Sequence, residues 1–165
     1  MVERRMSVAL FSEPYRTDGA GVWAVSDDGT CAVFQRGSAA PRSWQILSRG
    51  EGFVSVQVGP VVFVSCYFSP NRSLRAFERF LSFLDACIRP HVGSALVVAG
   101  NFNARCSEWG DSLTTARGVC LGNWAAALSL QLLNVGHAPT VVRPQGRSLV
   151  DVTWGSSAVL PAVSA

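Results

Sequence analysis

Between Phe53 and Ala99 the hydrophobic period changes twice, and this limits the possible folds more than any other feature of the chain. Phe53–Val58 reads Phe-Val-Ser-Val-Gln-Val, an alternation that suits a half-buried strand. Gly59-Pro60 turns the chain into Val61–Tyr67, which is nearly all apolar and reads as a more central strand. Leu74, Phe77, Leu81, Leu84 and Ile88 then recur at helical spacing until Pro90 stops the pattern. Ala95–Ala99 returns to the apolar run of a buried strand. Strands dominate, with a helix laid between them, which favours a layered α/β sandwich over an all-β barrel.

The flanking segments extend this plan. Met6–Phe11 forms a short apolar strand that ends at Ser12-Glu13-Pro14. Val22–Val25 and Cys31–Gln35 flank Ser26-Asp27-Asp28-Gly29, a turn-rich hairpin signal. A second helix is expected over Val119–Ser129, with Leu121, Trp124 and Leu128 on one face. Thr140–Val142 and Leu149–Trp154 are β-branched runs around Arg143-Pro144-Gln145-Gly146 and read as a closing hairpin. No repeat, low-complexity segment or linker interrupts the chain, so residues 1–165 read as a single domain.

Composition narrows the chemistry. A hydrophobic share of 48% with 15% charged residues suits a folded domain with a real core. The apolar stretches are too short or too interrupted to span a bilayer as helices, and the start of the chain does not read as a secretory signal, so the expected setting is intracellular, with no membrane partner. Five scattered cysteines without a CxxC pair read as reduced thiols, and with two histidines a zinc site is not expected. All 14 basic residues are arginine. Arginine suits phosphate because its planar fork bonds bidentately, although surface arginines are commonly only solvated.

Polar residues cluster at strand ends, where loops carry function in such folds: Glu13, Tyr67 with Asn71, Asn101 with Asn103, and Asp151. In an extended segment Asn101 and Asn103 face one pocket while Phe102 anchors in the core. Gly100 would let the chain turn sharply and leave room for a ligand. His91, beside Pro90, reads as a helix C-terminal residue near the dipole, and His137 reads as a loop histidine.

The segment "GNFNA" resembles the Gly-Asp-Phe-Asn motif of the endonuclease/exonuclease/phosphatase superfamily. In chain order "SEPY", "YFSPN", "ARCSEWGD", "ARG", "LLNVGHAPT" and "SLVD" agree as well, from about residue 8 to 155. Together they are most similar to the apurinic-type endonuclease domain of non-LTR retrotransposons, especially insect elements that insert into repeated DNA. The resemblance implies a DNase I-like four-layer α/β sandwich. It also implies Mg²⁺ (or Mn²⁺) as cofactor, DNA bound through its phosphates, a reverse transcriptase domain in a longer parent protein, and a nuclear setting for an active enzyme. Residue by residue, it implies that Glu13 ligates the metal, Tyr67 lies near the phosphate and Asn103 contacts it. Asp151 would be the acid that orients a catalytic histidine.

The departures carry equal weight. Asn101 stands where the family motif has its aspartate, and Ser12 stands where a glutamine usually precedes the metal glutamate. A final Ser-Asp-His strand and the first strand of the family pattern are not matched in this sequence. An amide can hydrogen-bond water but cannot take its proton. General-base catalysis is worth about 10²–10⁴-fold, or roughly 3–5 kcal/mol of barrier. The expectation is therefore an endonuclease domain with weak or no activity. The alternatives are a catalytically dead nucleic-acid-binding or scaffolding domain of the same fold and, behind it, a lipid or inositol phosphoesterase.

Overall fold

The computed structural model describes residues 8–17, 20–37, 43–134, 140–143 and 146–163, with backbone alone for 141–143, 146–147 and 162–163. Strands β1 (Val8–Ser12), β2 (Val22–Val25) and β3 (Cys31–Gln35) form a small antiparallel sheet in the order β1-β3-β2. Strands β4 (Trp44–Gly50), β5 (Phe53–Val58), β6 (Val61–Tyr67), β7 (Ala95–Asn101) and β8 (Gln131–Leu132) belong to a larger sheet. Strands β9 (Val141–Arg143) and β10 (Gly146–Ser148) pair only with each other, and β11 (Asp151–Gly155) completes the large sheet in the order β4-β5-β6-β7-β11-β8. The helices are α1 (Leu74–Ile88), α2 (Ala116–Ala127) and the short α3 (Leu160–Val163).

The pairing of β6 with β7 is parallel because α1 carries the chain back across the sheet between them; the other pairings in the large sheet are antiparallel. Ser73 starts α1 by accepting the Ala76 N–H on its hydroxyl at 3.2 Å. One face of the large sheet sends Val62, Val64, Cys66, Leu96, Val98, Val152 and Trp154 into a core shared with Phe77, Leu81 and Leu84 of α1 and Leu121 and Trp124 of α2. The other face packs Val54, Val56 and Val58 against Ala24, Cys31 and Val33 of the small sheet. Each large apolar side chain removed from water here contributes about 1.5–3 kcal/mol. Two packed sheets with helices on the outer face of the larger one are thus the observed form of the expected sandwich.

Three local expectations change. Helix α2 begins at Ala116, because Thr115 Oγ1 accepts the Gly118 N–H at 3.2 Å and caps the turn earlier than the apolar period suggests. The closing hairpin is β9–β10. The run expected to supply its second strand instead places β11 between β7 and β8, where Val152 and Trp154 reach the helical core. Strand β4 has no counterpart in the sequence reading, and a register shift between Ile46 and Ser48 breaks its alternation.

Candidate active site at the strand ends

Register brings three of the candidate residues into one row. Tyr67 of β6 lies opposite Asn101 of β7, and Asn101 lies opposite Asp151 of β11. Directly opposed residues share a face of the sheet. Their neighbours Cys66 and Val152 point into the helical core, so the row faces the small sheet. Gly100 does not turn the chain. It lies within β7, where an added Cβ would come 1.9 Å from the Cys66 carbonyl oxygen, so its role is close strand approach and not room for a ligand.

The end of β1 is stitched onto this row. Ser12 Oγ donates to the Cys66 carbonyl at 3.1 Å and accepts the Asn101 N–H at 3.0 Å. Ser65 Oγ donates to the Phe11 carbonyl at 3.0 Å. These bonds deliver Glu13, whose N–H donates to the Thr30 carbonyl at 2.7 Å. Glu13 then meets the Tyr67 hydroxyl. Burial, with the hydrogen bond and negative charge of Glu13 added, pushes the Tyr67 phenol above its ordinary pKa, so it stays a proton donor.

Asn103 approaches by a different route from the one its spacing suggests. Its backbone is left-handed, with φ of 46°, so it does not continue the extended alternation of β7. Its N–H instead folds back onto Asn101 Oδ1 at 3.0 Å, and its Nδ2 donates to the Phe68 carbonyl at 2.9 Å. One side-chain N–H remains for another acceptor. Phe102 between them is fully buried, as the sequence pattern requires. Among the described residues the non-glycine residues at positive φ are Glu13 (53°), Asn103 (46°) and Ser129 (55°). Two of the three belong to this site, where strained backbone of about 1–3 kcal/mol is commonly held.

Several supporting residues were not singled out from the sequence. Asn134 clasps β11, donating from Nδ2 to the Asp151 carbonyl at 3.1 Å and accepting the Thr153 N–H at 2.7 Å. Thr140 Oγ1 accepts the N–H groups of Val150 and Asp151 at 3.1 and 3.3 Å. Both lie in the segment "LLNVGHAPT", whose ends therefore hold Asp151 in place. Arg117 is spent on structure: its guanidinium lies over Phe68 and Phe77 and donates to the carbonyls of Ser69, Pro70 and Arg72. Asn71 is exposed, with its N–H on Ser69 Oγ. His91 sits in a single turn after α1, and His137 lies outside the described residues.

The oxygen donors at the site are the Glu13 and Asp151 carboxylates and the asparagine amides, a set that suits a hard cation. Among the described residues no three histidine, cysteine or acidic side chains converge as a ready-made cage. All five cysteines are unpaired, and burial pushes Cys31 up to about 12. No helix among the described residues is long and apolar enough to cross a membrane.

The family described as endonuclease-reverse transcriptase matches residues 61–165, which contain Tyr67, Asn101, Asn103 and Asp151. The chain belongs to that family. Its fold is similar to the solved endonuclease domain of TRAS1, a telomere-specific non-LTR retrotransposon, with a TM-score of 0.77 and 24% identity. That likeness covers 96% of this chain and 76% of the other, so it includes β1 and Glu13, which precede the family match. No curated protein matches the chain. In this family member the Tyr67–Asn101–Asp151 row lies where β6 and β7, the parallel pair, end together.

Proposed function

We propose that this chain is a retroelement endonuclease domain that binds DNA phosphates at the Tyr67–Asn101–Asp151 row and is impaired in hydrolysis at Asn101. The observation that carries the reading is the convergence of Glu13, Tyr67, Asn101, Asn103 and Asp151, drawn from well-separated stretches of chain, on one end of the sheet. Asn103 offers its remaining amide N–H to a phosphate oxygen, and Tyr67, whose one hydroxyl proton goes to Glu13 here, would donate to phosphate when Glu13 turns to a cation. Asn101 Oδ1 holds the Asn103 backbone as an aspartate oxygen would, so the fold is kept while the basic oxygen is lost.

Mg²⁺ fits the donor set, with Glu13 as its protein ligand and water and phosphate oxygens as the rest. When bound it would neutralise charge on the scissile phosphate. The residues themselves position the phosphate, and Asn101 can hold but not deprotonate an attacking water. Calorimetric titration tests the metal: Glu13→Gln should abolish Mg²⁺ or Mn²⁺ binding, and equal binding by the variant removes Glu13 from the site.

The base is tested by plasmid nicking in a chain extended with a Ser-Asp-His strand. There Asn101→Asp should raise Mg²⁺-dependent nicking by about two to four powers of ten. Equal nicking by the extended chain with and without this substitution would mean that the position does not activate water. The amide itself favours one second reading, a nucleic-acid-binding domain without catalysis. Salt-dependent DNA binding with no nicking in any of these variants is its signature.

A further inference from the structure

A groove of about 630 Å³ runs between α1 and the β4–β5 hairpin, and none of the site-row residues lines it. Its floor is Phe53 and Phe80, both buried, and its wall is Phe83, which is 68% exposed. Three arginines line it: Arg49 from β4, Arg72 just ahead of α1, and Arg79 within α1. Arg72 is paired with Glu51, whereas Arg49 and Arg79 have no ion pair among the described residues. Arg79 and Phe83, four residues apart, lie on one side of α1, and Arg72 lies just ahead of its N-cap.

The groove starts beside the site. The Gly52 carbonyl, in the turn that carries Glu51, accepts the Tyr67 N–H at 2.9 Å. The Glu51–Arg72 rim is therefore one hairpin turn from the residue proposed to contact phosphate. Resting on that reading, we propose that this groove is a subsite for single-stranded nucleic acid, holding phosphates on Arg49 and Arg79 and an unstacked base on Phe83.

The chemistry selects a single strand over a duplex. Arginines outnumber the one paired acid, which gives the groove an excess of positive charge that suits a phosphate backbone. An exposed aromatic face can stack a base only when that base is not already stacked inside a helix. A duplex would use the arginines and gain nothing from Phe83.

Fluorescence anisotropy over a range of salt tests this with short labelled oligothymidylate, oligouridylate and a blunt duplex. Wild type should bind the single strands, and the two arms show whether deoxyribose or ribose is preferred. Phe83→Ala should weaken single-strand binding about tenfold, the range for loss of one stacked base. Phe83→Tyr should retain wild-type affinity. Arg49→Ala and Arg79→Ala should each lower the slope of log affinity against log salt by about 0.7. Duplex binding should be the same in both Phe83 variants as in wild type.

Unchanged single-strand affinity in Phe83→Ala overturns the proposal, as does a wild-type dimer that Phe83→Asp dissociates without altering nucleic-acid binding. If wild type binds duplex but not single strands, the groove reading falls and the site reading stands. If Phe83→Ala loses single strands while Glu13→Gln keeps its metal, the groove stands and the site reading falls.

Discussion

Replacing Asp111 with alanine tests whether the loop beside the site is held by one buried carboxylate. The Asp111 side chain is fully buried and pairs with Arg105, Nη2 to Oδ1, at 2.8 Å. Its Oδ1 also accepts the Leu113 N–H at 3.0 Å, and its Oδ2 accepts the Leu149 N–H at 2.7 Å. Alanine would strand the buried Leu149 N–H and leave the Arg105 guanidinium without this partner. The Arg105 side chain is 26% exposed and can be hydrated, so the main cost is the buried Leu149 N–H left without an acceptor, about 1–3 kcal/mol. Against a total stability of about 5–15 kcal/mol, that is a sizeable fraction. It corresponds to a fall in melting temperature of about 2–12 °C for a domain of this size. Urea unfolding followed by tryptophan fluorescence is a suitable assay, because Trp109 lies edge-on to Trp154 and donates to the Leu149 carbonyl. A loss below about 1 kcal/mol, the range of surface pairs, would refute the reasoning.

The same residue makes a pH prediction. Burial pushes the Asp111 pKa up, but the Arg105 hydrogen bond and the Leu149 and Leu113 N–H groups outweigh it and hold the carboxyl below its ordinary value. A carboxyl depressed on folding adds stability above its unfolded pKa, and that stability is lost as pH falls through the folded value. The gap between wild type and Asp111→Ala should therefore be full at neutral pH and shrink in acid below the ordinary aspartate range.

Other substitutions probe the site frame. Gly100→Ala places a Cβ against the Cys66 carbonyl and should cost about 1–3 kcal/mol by overpacking; a melt equal to wild type would contradict the close strand approach. Asp28 Oδ1 accepts from Ser26 Oγ, Thr30 N–H, Thr30 Oγ1 and Gly52 N–H, and the Thr30 and Gly52 carbonyls hold the backbones of Glu13 and Tyr67. Asp28→Ala should therefore weaken calorimetric metal binding at Glu13, whereas Asp28→Asn, which keeps the acceptor oxygen, should largely preserve it. Equal binding by Asp28→Ala would show that this network does not set the position of Glu13.

Local patterning determined the elements whose burial is periodic. The runs around Val56, Val64, Val98 and Leu81 each repeat with the period of one structure, so strands β5, β6 and β7 and helix α1 were legible residue by residue. Ordered motifs also made Glu13, Tyr67, Asn101, Asn103 and Asp151 legible as candidates, because each lies at or beside the end of an apolar run. What the sequence could not determine was partnership. A β-branched run does not say which strand it joins, and only packing of Val152 and Trp154 against the helices places β11 beside β7. Alternation along one strand likewise could not show that Asn103 reaches Asn101 through a left-handed turn. The Ser12 hydroxyl that joins β1 to Cys66 and Asn101 spans 54 and 89 residues of chain, and Asp28, Asn134 and Thr140 act through backbone groups equally hidden from local pattern. Residue types and periods are local properties, whereas register and hydrogen-bond partners depend on which surfaces meet, and that is decided when the two sheets and the helices pack together.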